Sequence, residues 1–153
     1  MRLRTTLRTA LVAIAAAAAL PAFADAALDG ARARWQAAAL TSYEYGYQKY
    51  CDCHRDNPPE TVITVRGGSV AGVRHRPAGT TTEVPGRNPE YYWTVNGLFE
   101  LIAAAQARGV QVRAAYDADL GFPREIYIDY DSNLIGDELD VRLTGVTRLD
   151  GAR

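Results

Sequence analysis

Tyr43, Tyr45 and Tyr47 alternate with Glu44, Gly46 and Gln48. A two-residue period sends the tyrosines to one face and the other residues to the opposite face, which predicts a half-buried strand. Just upstream the period is longer. Residues 26–40, "ALDGARARWQAAALT", put Leu28, Ala31, Trp35, Ala38 and Ala39 on one helical face, with Arg32, Arg34 and Gln36 outside it. An amphipathic helix packed through Trp35 is expected there. Further on, "TVITVRGGSVAGVRHR" sets two Val-rich runs around Gly67-Gly68. A tight two-residue loop needs positive φ at its centre, which glycine supplies, so the segment is read as a hairpin.

Residues 77–90, "PAGTTTEVPGRNPE", are rich in proline and glycine and read as a loop. "NGLFELIAAAQARG" carries a second helical stripe of Leu98, Leu101, Ile102 and Ala105, with Asn96 as N-cap and Gly109 just past the end. Three more strands follow. Val110, Val112, Ala114 and Tyr116 share a face, then Ile126, Ile128 and Tyr130, then Leu139, Val141 and Leu143. The last strand changes phase at Gly145 before Val146, as a bulge requires. The order is helix, three strands, helix, three strands. It predicts an α+β domain with an antiparallel sheet and two helices on one face. A helix-grip or cystatin-like arrangement and a tandem αβββ pair both satisfy that order.

The N-terminus follows another logic. "MRLRTTLR" carries Arg2, Arg4 and Arg8 and no acid, and an Ala-rich apolar run then ends in Ala22-Phe23-Ala24. The run is short for a membrane span. A basic start, an apolar centre and a small-x-small end in that order are the marks of a secretory signal peptide. Residues 1–24 are therefore read as a signal peptide cleaved after Ala24, and 25–153 as a single domain released to the periplasm or secreted. No stable membrane anchor is expected after cleavage.

Cleavage matters to charge. The full chain has 17 basic and 18 acidic side chains, and three of the basic ones lie in the leader, so the mature chain carries 14 − 18 = −4. A net negative chain has no general attraction to nucleic acid. Acids concentrate at Asp117, Asp119, Glu125, Asp129, Asp131, Asp137, Glu138 and Asp140, and Lys49 is the only lysine.

Chemistry concentrates in "CDCH". Cys51 and Cys53 are the only cysteines, and His54 is one of two histidines. In a regular strand the two cysteines would be about 6.6 Å apart, at the limit of disulfide reach, so joining them requires a kink. An exported chain with an even cysteine count nevertheless favours the oxidised pair, and a Cys51–Cys53 disulfide ranks first. Two buried thiols come next. A metal set of Cys51, Cys53, His54 and His75 is chemically suitable for zinc or copper. It needs His75 to lie two strands, about 9.5 Å, from the first strand, and the one-residue cysteine spacing strains a tetrahedral site. A thioredoxin-like redox pair lacks its usual spacing and context.

The acidic stretch at 129–140 offers Asp129, Asp131, Asn133, Asp137 and Glu138 as a candidate ion-binding loop. Its glycine is eighth instead of sixth and its last position is Asp140, so it departs from the EF-hand pattern. Asp117 and Asp129 fall at opposite ends of one hairpin and should not converge for acid–base work. Tyr91-Tyr92-Trp93 could stack on a sugar ring or staple a loop to the helix that follows. No hydrolase or phosphate-loop motif is present, so catalysis and a cofactor are not expected.

Taken together, the Tyr-rich strand ending in Cys51-x-Cys53, "TVNGLFELI" at 94–102, "YDADLGFPREIYIDY" at 116–130 and "GDE" at 136–138 resemble a family of small exported bacterial proteins, domain of unknown function 6174. The resemblance spans nearly all of the mature chain. It implies the same element order and export, and no activity. The family pattern includes neither His54 nor His75, which weakens the metal set. The expectation is an exported, non-catalytic binding or interaction module whose partner is a protein or envelope ligand. The alternative is a metal-binding or thiol-redox protein centred on Cys51 and Cys53.

Overall fold

The computed structural model describes residues 25–50, 60–76, 79–80, 82–86 and 88–149. Helix α1 spans Ala26–Ala38. Strands β1 (Tyr43–Tyr50), β2 (Glu60–Arg66) and β3 (Ser69–Arg76) follow, then a two-residue strand β4 (Val84–Pro85) and a 3₁₀ turn (Pro89–Tyr91). Helix α2 covers Val95–Ala107, and β5 (Gln111–Tyr116), β6 (Pro123–Asp129) and β7 (Leu139–Arg148) complete the order. The expected α+β plan is present, with one addition. The segment read as a plain loop at 77–90 contains β4 and the start of the 3₁₀ turn. Two residues with no period of their own are too short a signal to predict a strand.

All seven strands join one antiparallel sheet in the order β4-β3-β2-β1-β7-β6-β5. Two meanders therefore run outward from a central β1–β7 pair. The β2–β3 hairpin turns at Gly67 and Gly68, whose φ values are 55° and 80°, as a tight loop demands. The phase change in β7 is the expected bulge: Tyr45 pairs with Val146 and Gly46 with Thr144, which skips Gly145.

Alternation decides what is buried. Tyr43, Tyr45, Tyr47, Ile63, Val65 and Val73 point from the first meander into one core with Ile126, Ile128, Val141 and Leu143 from the second. Leu28, Ala31 and Trp35 of α1 and Val95, Leu98, Phe99, Ile102 and Ala105 of α2 close that core. Trp35 meets Tyr43 edge-on at 5.1 Å, a geometry that aromatic quadrupoles favour. Phe99 was absent from the expected stripe yet is 1% exposed. Ala39, expected on the buried face of α1, instead ends it in the left-handed region at φ 49° and is exposed. Thr94, not Asn96, caps α2, with its hydroxyl accepting from Gly97 N at 3.1 Å. The Asn96 side chain instead accepts from Trp35 Nε1 at 2.9 Å and ties the two helices together.

One glycine sets a close approach. Gly121, in the β5–β6 turn at φ 82°, lies so near α1 that an added Cβ would fall 2.2 Å from the Ala31 carbonyl oxygen. Among the described residues no helix covers the far face of the sheet. There Arg74 and Arg76 of β3 grip Glu83, beside β4, at 2.6 and 2.8 Å. Those two bonds hold the Glu83 carboxyl below its ordinary range. Among the described residues no helix is long and apolar enough to cross a membrane.

Candidate ligand-binding notch

The register of the first meander determines what meets at one end of the core. Tyr47 pairs with Thr61, and Thr61 pairs with His75. The three lie in one row across β1, β2 and β3. Lys49 is two residues beyond Tyr47, so it shares the same face. The chain from the 3₁₀ turn into α2 then crosses above this row. Tyr45 donates its hydroxyl to the Trp93 carbonyl, and Val95 N donates to the Tyr43 hydroxyl at 3.0 Å. These two buried tyrosines thus bolt residues 93–95 to the sheet. Burial pushes the hydroxyl pKa values of Tyr43, Tyr45 and Tyr47 upward, because a phenolate would lose its hydration there.

The result is a notch of about 330 Å³ lined by Tyr47, Lys49, Thr61, His75, Tyr91, Tyr92 and Trp93. Tyr47 and Tyr92 meet edge-on, with ring centroids 5.4 Å apart and planes at 85°. Tyr91 is 69% exposed, an unusual state for a large ring. His75 Nδ1 lies 3.1 Å from the Thr61 hydroxyl, which fixes the imidazole and leaves Nε2 without a partner among the described residues. Lys49 is exposed and makes no ion pair among them. Volume, aromatic walls and a few polar groups match the usual form of a small-molecule site.

The resulting placement unites two motifs that the sequence kept apart. The aromatic triplet at 91–93 and His75 are 16 residues distant along the chain, reading from 75 to 91, yet they wall one notch. Tyr47, Lys49 and Thr61 complete it. Tyr47 and Lys49 continue one alternation in the sequence, but only the register shows that Thr61 aligns with them. Residues 27–148 match a family of unknown function, DUF6174.

The chain belongs to DUF6174.

No curated protein and no solved structure matches it. The notch of this DUF6174 chain lies wholly within the matched segment. Cys51, Cys53 and His54 lie outside the described residues, so the disulfide and the four-residue metal set are not placed by the structure. His75 lies two strands from β1, in the row of Tyr47.

The acidic loop is placed differently. Asp131 accepts from Asn133 N and Nδ2, both at 3.0 Å, and these bonds lower its pKa. Glu138 accepts from Gly136 N at 2.9 Å. Two of the candidate ion ligands are thus engaged in the loop's own turns. Asp129 and Asp137 each keep one buried carboxylate oxygen without a partner among the described residues. No three acidic, histidine or cysteine side chains among the described residues are grouped closely enough to hold a metal ion.

Two other concavities are further from ligand chemistry. One of about 420 Å³ beside the β5–β6 turn includes Asp117, whose Oδ1 accepts from the amides of Asp119 and Leu120 at 3.0 and 2.8 Å. The other, on the uncovered sheet face, surrounds Gly46 with Glu44, Glu60, Glu83, Arg74 and Arg76. There the charges satisfy one another: Arg74 with Glu44 and Glu83, Arg76 with Glu60 and Glu83.

Proposed function

We propose that this DUF6174 protein is an exported, non-catalytic binding module that takes a small ring-bearing envelope ligand in the notch. The observation carrying the proposal is the convergence around one cavity of exposed Tyr91, three further aromatics, His75 and a Lys49 that makes no ion pair among the described residues. Export rests on the leader-like residues 1–24 and on what begins at residue 25. Asp25 caps α1 by accepting from Ala27 N at 2.9 Å, and its other oxygen accepts from Gln106 Nε2 at 2.7 Å. Cleavage after Ala24 would leave the cap in place, ready to satisfy an orphan helix amide. The α-β-β-β plan repeated twice is retained as a reading of element order.

The test is a titration of Trp93 emission with ring-bearing solutes, sugars and aromatic acids included. Binding is expected, and Tyr91→Ala should weaken it by about fivefold, the loss of one aromatic contact of about 1 kcal/mol. Tyr91 is exposed, so the variant should fold normally. A panel without any Tyr91-dependent response would sink the reading.

The cysteines give a separate test. Cys51 and Cys53 are proposed to be joined in the exported chain. Alkylation under denaturing, non-reducing, chelator-containing conditions should give no adduct and a monomer mass two hydrogens light. Two adducts would restore the thiol and metal alternatives, and the metal content of unchelated protein would then decide between them.

A further inference from the structure

We infer that the ligand of the notch is an acidic sugar, a pyranose ring carrying a carboxylate; this rests on the notch being the binding site. A pyranose presents an apolar C–H face and a rim of hydroxyls. The notch offers complementary surfaces in the same places. Tyr91 is an exposed ring, and the edge-on contact of Tyr47 with Tyr92 fixes a second aromatic wall. Thr61 and His75, bonded to each other, add polar atoms to the same lining, and both can exchange roles as donor and acceptor.

The charge selects the acid. Lys49 is the sole lysine in a chain whose net charge is −1, and it lies on the notch wall without an ion pair among the described residues. Glu60, in the neighbouring strand β2, is on the opposite sheet face. There it bonds Arg76 at 2.8 Å and accepts from the Thr144 hydroxyl at 2.8 Å. A carboxylate brought by the ligand would meet an available ammonium.

Other anionic ligands fit less well. A phosphate favours arginine forks or free helix N-terminal amides. Among the described residues no arginine lines the notch, and at the start of α2 Val95 N and Gly97 N are already taken by Tyr43 and Thr94. A flat aromatic acid is best held between two covered faces, whereas Tyr91 is mostly in solvent.

The experiment compares a galacturonate disaccharide with its neutral galactose counterpart, using tryptophan emission of the mature protein. At low salt the acidic sugar should bind about fivefold more tightly, the upper range for one exposed ion pair. The preference should shrink at about 1 M salt, where screening acts within about 3 Å. Lys49→Met should reduce the acidic sugar to the affinity of the neutral one. Equal binding of the two sugars, or a preference that survives Lys49→Met, overturns the acidic class while Tyr91 dependence preserves the notch. Binding of other ring solutes but neither sugar overturns the sugar and leaves the notch standing. Absence of any Tyr91-dependent ligand overturns both.

Discussion

Tyr45 is buried and Tyr116 half-buried on the helix side of the sheet, and their hydroxyls have different fates. The Tyr45 hydroxyl donates to the Trp93 carbonyl, while the Tyr116 hydroxyl is buried with no partner among the described residues. Removing one member of a buried pair leaves the other desolvated and unpaired. Tyr45→Phe should therefore cost about 1–2 kcal/mol in urea unfolding. Tyr116→Phe removes an atom that brings no hydrogen bond, and it should stay within about 0.5 kcal/mol of the parent protein. Equal losses in the two variants would contradict this difference.

At the scale of elements, β4 is the weakest piece of the sheet. It is two residues long and, among the described residues, pairs only with Arg74 and His75. What holds it is the double grip of Arg74 and Arg76 on Glu83, helped by Gly86 N donating to Val73 O at 2.7 Å. Glu83→Gln should speed amide hydrogen exchange at Gly86 and leave the melting temperature nearly unchanged, since local opening of an edge need not unfold the core. An unchanged Gly86 rate would show that the arginines do not hold the edge. β4 also marks the limit of what the sequence made legible. Periodicity found both helices and six strands because each buries a face several residues long. It also found the β7 bulge through the phase change at Gly145. It could not find β4, whose pairing comes from its neighbours, or choose Thr94 over Asn96 as the cap, because both residue types cap well. The notch was half legible for the same reason: Tyr47 and Lys49 shared a visible alternation, but the alignment of His75 with Thr61 is a matter of register between strands.

For the whole molecule, the tyrosine-rich core sets the response to alkali. Burial raises the pKa of Tyr43, Tyr45 and Tyr47, and pushes Tyr116 up to about 12. In the unfolded chain these groups ionise near 10. Above that pH the unfolded state has released protons that the folded state still binds, so stability falls as pH rises. Their contribution is fully present below about pH 10 and is lost progressively above it. Urea midpoints should be flat near neutrality and drop steeply beyond about pH 10, together with a rise in tyrosinate absorbance. Tyrosinate that appears well before the loss of structure would mean the rings ionise in the folded state.

Lys49 carries one more consequence, for chemistry done on the protein and not by it. As the chain's only lysine, exposed on the notch wall, it is the single side-chain amine available to an acylating reagent. With the more acidic α-amino group blocked first at mildly acidic pH, a dye or crosslinker would attach at one address, beside the aromatic rings. An environment-sensitive fluorophore attached there by reductive alkylation, which keeps the nitrogen cationic, would report occupancy of the notch, and a photoreactive group would mark whatever molecule comes to rest in it.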